Sequence, residues 1–566
     1  MRPLQRVVAC FAILALAQGA FAHGGSFRGG NGDGSGGPPP GPADDATTAA
    51  GWETWWANDR ARFFRRMVRP RARAVATTPG GDATRPPPKD PAPEDRNPAP
   101  PAHADLQRRE VVSLFIAALD DPSTEVRSAA AIALGKTGDA SGLGPLVAKS
   151  RSDPEREIRD TAVLALGILG QEPALETLAQ VLTDEGATTH RRSFAAFALG
   201  LLGGRDAAQS LVGFMTAPTG LRHRGDPPLH GACFLAMGIT GDDTVLPTLW
   251  SAGADTSYDD QVRAFAWSSL GRMHDRTSLA MFVRALENPV EKVALRHAAA
   301  RSLRNVAKPG DSAAVAALVN AMRTSTDPLT RRLAAMSLAE IGGDRTVFEL
   351  RTAFTKAEDA DRGFLALALA VANDRDAAPM IRKALLAGGS ESFRGGAATA
   401  LGLLGDAGSR DVLEAQVAAR GAIWPQGYAA LALGMAGIVE ARPVLRNELE
   451  RANDPRLRVN LALGLALLDD PSMPGWLVDT FRNPRGTTYS RGAAAMSLGL
   501  LRYDESVPLL AGVACDSAEN EMLRAYSVAA LGILMDRSDP PRLASLAAGQ
   551  DDSLQNDALA EVLTIY

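Results

Sequence analysis

Cysteine is almost missing from this chain. Its 566 residues hold Cys10, Cys233 and Cys515, so no disulfide framework and no four-cysteine zinc module can organise it. Aromatic residues are only 5% of the total, too few for one thick aromatic core. No apolar run reaches the ~20 residues that a bilayer-spanning helix requires, which argues against a transmembrane protein. Alternating apolar and polar residues are missing as well, and with them the signature of half-buried strands. There is no phosphate loop, no Gly-x-Ser-x-Gly elbow and no paired metal motif. The scattered Ser, His and Asp residues have no spacing that would bring them together usefully. The chain therefore reads as a non-enzyme, with no cofactor and no metal.

The charge balance excludes another class. Formal net charge is −5, with 13 Lys/Arg against 9 Asp/Glu in residues 1–104 and 47 against 56 in the remainder. An acidic body of this kind does not suit nucleic acid, whose phosphates call for a basic surface.

What is present begins with an export signal. Arg2 and Arg6 precede the apolar run Val7 to Ala17, and Ala20-Phe21-Ala22 supplies a small-x-small cleavage site, so residues 1–22 read as a secretory signal peptide and the product as periplasmic or extracellular. Residues 23–50, with Gly24-Gly25, Gly36-Gly37 and Pro38-Pro39-Pro40, form a Gly/Pro-rich tether that cannot bury enough surface to order itself. Residues 51–69 differ in character. Trp52, Trp55, Trp56, Phe63 and Met67 fall at helical spacing among Arg60, Arg62, Arg65, Arg66 and Arg69, which predicts an amphipathic, basic, aromatic helix. Three fates are open to it: docking on the repeats as a cap, making peripheral contact with an anionic membrane surface, or gripping a partner. Residues 70–104, containing Pro86-Pro87-Pro88, form a Pro-rich extended linker.

From 105 to 566 the chain repeats itself about every 33 residues. Val126, Ala129, Ala130, Ala133, Leu134 and Thr137 make one buried helical stripe, an upstream stripe around Val111 and Leu114 makes another, and Asp121-Pro122 is expected to open the second helix. The fold class is all-α, an α-solenoid of about 14 helical hairpins. Aligned copies place Gly at 135, 167, 200, 238, 271, 402, 434, 464, 499 and 532. A helical glycine costs about 1 kcal/mol relative to alanine, so ten of them imply close approach of a neighbouring backbone. Eight residues before this position stands an arginine in eleven of fourteen copies: Arg127, Arg159, Arg192, Arg263, Arg296, Arg331, Arg362, Arg394, Arg456, Arg491 and Arg524. Such regularity suits a structural ladder between repeats, with the acids after each helix (Asp139, Asp242, Asp275, Asp374, Asp406 and Asp536) or nearby carbonyls as its partners.

Val126-Arg127-x-x-Ala130 to Ala133-Leu134-Gly135-x-x-Gly138-Asp139 resembles the HEAT-like repeats of the phycobilisome-lyase type. The resemblance covers residues 105–566 and implies the solenoid. Repeats of this kind serve chromophore lyases, hydroxylases and many scaffolds. Iron hydroxylases on similar repeats use His-Glu dipeptides, and no histidine here is followed by glutamate.

Breaks in the pattern mark a candidate ligand patch. The longest interval, Gly200 to Gly238, contains an insertion around Pro218 to Pro228; His230 replaces the ladder arginine, and Phe234 and Trp267 replace the small ridge residue. His223 lies in the insertion, and a second break collects Trp424, Gln426 and Tyr428. A locally packed bend explains these residues as readily as a pocket does. The sequence thus points to an exported, non-enzymatic, monomeric solenoid binding a protein or peptide partner. A membrane-associated assembly factor anchored through residues 51–69 is the alternative, with a lyase-type enzyme behind it.

Overall fold

Each repeat supplies two apolar stripes and a punctuated end, and it folds accordingly into a helical hairpin. The computed structural model describes Trp52 and residues 102–217, 226–536, 538, 542–547 and 556–565; among them are helices and turns but no strands. The expected signal peptide, the tether, the 51–69 helix apart from Trp52, the linker up to 101, and residues 218–225 with His223 lie outside the described residues. Among the described residues no helix is long and apolar enough to cross a membrane.

In the first hairpin, Ala102–Ala118 packs on Thr124–Thr137, which buries Val126, Ala130, Ala133 and Leu134. The second helix starts at Thr124, with Ser123 as its extended N-cap, two residues later than Asp121-Pro122 suggests. Asp121 is engaged elsewhere: it accepts from the Ser123 amide at 2.9 Å and from Arg524. Asp-Pro does open the helices at Pro227, Pro328 and Pro455. The helix ends on Gly138 at φ 65°, whose N–H closes on the Gly135 carbonyl. His274, Asn373, Asp469 and Arg502 hold left-handed φ values of 52–55° at comparable turns, at a cost of roughly 1–2 kcal/mol each.

The acids after these turns do not serve the arginine ladder. Asp139, Asp242 and Asp275 instead accept from the backbone amides of Ser141, Thr244 and Thr277 and so start the next hairpin, while Asp374 and Asp406 pair with Arg351 and Arg382 of the preceding first helices. The ladder arginines reach back along their own hairpin. Arg192 and Arg491 donate from Nε to the carbonyls of Leu182 and Phe481 at 2.9 Å, and Arg263 and Arg524 to those of Gly253 and Ala514 at 3.2 and 3.3 Å. In each case this is a carbonyl at the C-terminal end of the first helix, where orphan acceptors and the helix dipole favour a cation. Arg127, Arg331 and Arg491 also reach an acid of the next unit, respectively Asp153, Asp361 and Glu519.

Successive second helices pack along their length on one another, while first helices touch their neighbours far less. The glycine ridge makes the close packing possible. A Cβ on Gly167 would lie 2.4 Å from Ala198 Cα, and one on Gly402 2.7 Å from Ala432 Cα, so a larger residue meets backbone that cannot rotate away. Across three junctions Ser269, Ser302 and Ser337 donate to the carbonyls of Phe234, Trp267 and Ala300 at 2.8, 3.2 and 2.7 Å.

The stack does not remain open. Its last full second helix, Glu521–Met535, packs on the first, Thr124–Thr137, as extensively as any internal pair. A Cβ on Gly532 would meet Ala133 Cα at 2.8 Å. Arg524 joins Asp121, and Arg108 donates to the Met535 carbonyl at 3.0 Å. Burial pushes the Lys136 ammonium down, and Asp536 at the end of the last helix partly offsets this. The thirteen second helices, numbered units 1 to 13 from Thr124–Thr137 to Glu521–Met535, therefore form the inner layer of a solenoid that closes into a ring. The fourteenth sequence copy does not extend it: Asp557–Ile565 lies instead on the inner helices Thr189–Leu202 and Pro227–Thr240 of units 3 and 4.

Thirteen helices spaced about 9 Å apart give a circle about 40 Å across. First helices about 10 Å further out are then roughly 14 Å apart, beyond the usual contact distance, which accounts for their sparse mutual packing.

Candidate functional site

Most of the described residues singled out by the broken repeats lie beneath the surface. His230, Phe234, Trp267, Gln426 and Tyr428 are buried, and they divide between units 4–5 and unit 10. His230 and Phe234 meet the Tyr258 ring edge-on at 5.4 and 5.8 Å. Trp267 donates from Nε1 to the Gly253 carbonyl at 3.2 Å and lies 5.9 Å from the Phe282 ring. Gln426 donates to the Val417 carbonyl at 3.0 Å, taking over the bond that a ladder arginine makes elsewhere. Trp424 is half-buried beneath the Arg456 guanidinium, 5.3 Å from its ring. These side chains pack junctions whose repeat is irregular. Cys233 is sealed among them, and burial pushes its thiol pKa up. Among the described residues no group of three His, Cys, Asp or Glu is placed to hold a metal ion.

Tyr428 leads to a different feature. Trp52, from outside the repeats, is buried against the inner helices of units 8, 9 and 10. Its indole N–H donates to the Ser392 carbonyl at 2.9 Å and to Ser392 Oγ at 3.1 Å, and its ring meets Tyr428 edge-on at 4.8 Å. Two glycines make the space: a Cβ on Gly395 would lie 3.0 Å from Trp52 Cζ2, and one on Gly363 would lie 3.4 Å from Cδ1. Each directly follows a ladder arginine, Arg362 or Arg394. Burying an indole of about 200 Å² contributes roughly 5 kcal/mol before ordering costs.

A second inserted segment holds the arc of units 2 to 5. The Arg542 guanidinium fills the space where a Cβ on Gly170 would stand. Arg272 donates to the Ser545 carbonyl at 2.7 Å, and Asn556 donates to that of Pro228 at 2.7 Å. His190 Nε2 lies 3.0 Å from Glu561. The segment buries Leu543, Leu546, Leu559 and Val562.

His190 makes this docking pH-dependent. Its hydrogen bond to Glu561 raises its pKa against the opposing effect of burial, with Asp160 adding to the rise and Arg156 subtracting from it. A raised histidine pKa stabilises the docked state fully below the unfolded value near 6.5, and that contribution fades as pH climbs through the folded value. Hydrogen exchange in 557–565 is therefore expected to be slower at pH 6 than at pH 8.5 after correction for intrinsic rates. His190→Ala should abolish the difference.

The inner helices of units 6 to 8 carry a polar arc. His297 lies 2.6 Å from Asp327, and Arg331 and Arg332 share Asp361 at 2.7 and 3.0 Å. Burial acts to raise the Asp327 pKa, but the bonds from His297 and Thr330 outweigh it and hold the carboxyl well below the usual carboxylate range.

The sequence does not show that Asp121 and Ala133 close the ring, or that Gly363, Ser392, Gly395 and Glu561 receive the docked segments. One signal was available: Arg524 and Gly532 preserve the junction pattern in the last full unit, where an open stack would need a polar cap.

Comparison with known proteins accords with the helical hairpins. The family model for HEAT repeats matches residues 112–193, 250–339 and 291–370. The chain carries HEAT repeats over those residues. Comparison with curated protein sequences gives no match. Among solved structures, the chain is similar to human deoxyhypusine hydroxylase in complex with glycerol at 19% identity, covering 54% of this chain and 99% of that one with a TM-score of 0.22. It is similar to the CpcE–CpcF complex of phycocyanin lyase from Nostoc at 18% identity, covering 46% and 97% with a TM-score of 0.29. Similarity to the karyopherin Kap121p, at 13% identity, covers 75% of this chain and 53% of that one with a TM-score of 0.36.

Proposed function

We propose that this HEAT-like repeat scaffold is exported and, as a single closed ring, binds a protein or peptide partner on its inner layer. The observation that carries the reading is that the inner layer already holds chain from outside its thirteen units, Trp52 and residues 542–547 and 556–565. Short helical segments and an aromatic anchor are what this surface accommodates. With Trp52 buried, that indole is withdrawn from any lipid-facing side of the 51–69 segment, which favours a protein partner over a membrane surface.

Replacing Leu403, half-buried on the inner helix Glu391–Leu404, with a photo-crosslinking amino acid should give a discrete adduct in the native compartment. The same replacement at the exposed Phe348 on the outer helix Asp344–Lys356 should not. Equal labelling at both positions, or at neither, would overturn the inner-layer reading. Export predicts a mature N-terminus at His23, and an intact Met1 terminus on the accumulated protein would contradict it.

A further inference from the structure

We propose that the socket around Gly363 and Gly395 recognises a tryptophan side chain presented by a partner peptide, and that Trp52 is its built-in competitor. The inference rests on the inner layer being a peptide-binding surface, and it assigns both the site and the chemistry recognised there.

The socket is made by subtraction. The position after the ladder residue carries glycine in units 4, 8, 9, 10 and 12, whereas units 6 and 7 carry His297 and Arg332 there; Phe265, Asn460 and Tyr526 of the next unit fill the space at Gly231, Gly427 and Gly492, while at Gly363 and Gly395 the Trp52 indole enters it. With either glycine filled, a Cβ would stand 3.0 or 3.4 Å from the indole. The polar side is equally selective. One N–H points at two acceptors on Ser392, its carbonyl and its hydroxyl oxygen; phenylalanine has no donor to offer. Tyr428 presents a T-shaped contact at 4.8 Å, the geometry that pairs a ring edge with a π face.

The occupant is not part of the ring. Residues 53–101 separate Trp52 from the first helix, Ala102–Ala118; 49 residues can span up to about 170 Å, several times the roughly 40 Å width of the inner circle. Ring closure relies on Gly532, Ala133, Arg524 and Asp121, so Trp52 can leave without opening a junction. A tethered ligand competes at an effective concentration of up to about millimolar. A partner tryptophan is then bound weakly until Trp52 is displaced, which sets a threshold on engagement.

The test uses the full chain, wild type and Trp52→Ala, with a fluorescein-labelled peptide of residues 48–54, read by fluorescence anisotropy. The peptide should bind Trp52→Ala at least tenfold more tightly than wild type. A peptide with phenylalanine in place of tryptophan should lose about tenfold or more. Gly395→Val in the Trp52→Ala background should abolish binding. Because that variant could misfold, Ser392→Ala, which removes one acceptor and leaves the carbonyl, should weaken the peptide several-fold, with circular dichroism checking the ring in every variant. Absence of binding to Trp52→Ala, equal binding to both chains, or unfolding of Trp52→Ala would overturn the proposal. So would loss of flotation on phosphatidylglycerol vesicles on Trp52→Ala, which would assign the indole to lipid. A failed socket would leave an adduct from Leu403 standing, so the scaffold reading fails or survives separately.

Discussion

Gly532→Leu should lower the thermal unfolding midpoint as much as Gly402→Leu does, and it should also separate the two ends of the stack. In an open solenoid the ridge of the last unit faces solvent, and a substitution there costs within about 0.5 kcal/mol. Here a Cβ at 532 meets Ala133 Cβ and Cα at 2.7 and 2.8 Å, much as one at 402 meets Ala432 Cα at 2.7 Å. Both substitutions force apart two backbones, and overpacking of this kind costs about 1–3 kcal/mol. Their consequences then diverge. Within the ring Gly402→Leu strains one junction of thirteen, whereas Gly532→Leu attacks the junction without covalent continuity, which rests on Arg524–Asp121 and Arg108 to Met535. Energy transfer between dyes on Cys515, which is exposed, and on Ser113→Cys of the first helix, in a Cys10→Ser background, should fall for Gly532→Leu alone. Unchanged transfer together with an unchanged midpoint would refute closure.

Deletion of residues 537–566 is the second large effect. The segment buries Leu543, Leu546, Leu559 and Val562, each contributing about 1.5–3 kcal/mol before the entropy of ordering the segment. It also supplies Arg542 over Gly170, the Ser545 carbonyl to Arg272 and Glu561 to His190. Without it, apolar inner surface of units 2 to 5 faces water, and binding of a hydrophobic dye should rise several-fold while the midpoint falls by several degrees. Transfer across the Cys515–Ser113→Cys pair should hold, because the deleted residues do not build the closing ridge. A truncated chain that binds no more dye than the full one would show that the segment covers little.

Much of this molecule is legible in the repeat. The glycine ridge could be read because helical glycine is costly and ten copies need a common reason, and the 2.4–3.0 Å approaches around Gly167, Gly200 and Gly402 supply it. The arginine ladder was legible as a structural element, but its partners were not. Which carbonyl lies ten residues back, as Leu182 does for Arg192, depends on how the hairpin turns. The burial of most of the candidate patch was illegible for a related reason: Phe234 and Trp267 in place of alanine signal a change in packing, and sequence alone does not say whether the added bulk faces inward or outward.

Closure shows where the boundary lies. The sequence by itself determined the hairpin, its period, the ridge that draws second helices together and the near-equivalence of every junction, because these follow from local propensity and side-chain size. Tertiary structure decided that the stack becomes a ring. Thirteen units close only if each turns by roughly 28° without net rise, and an error of about 3° per junction would accumulate to about 40°, leaving an open spiral. That angle is set by the summed thickness of side chains between two layers, and it brings Gly532 to Ala133 and Arg524 to Asp121 across more than 390 residues of chain. Only once the ring exists do Trp52 and the C-terminal segment have an inner layer to occupy.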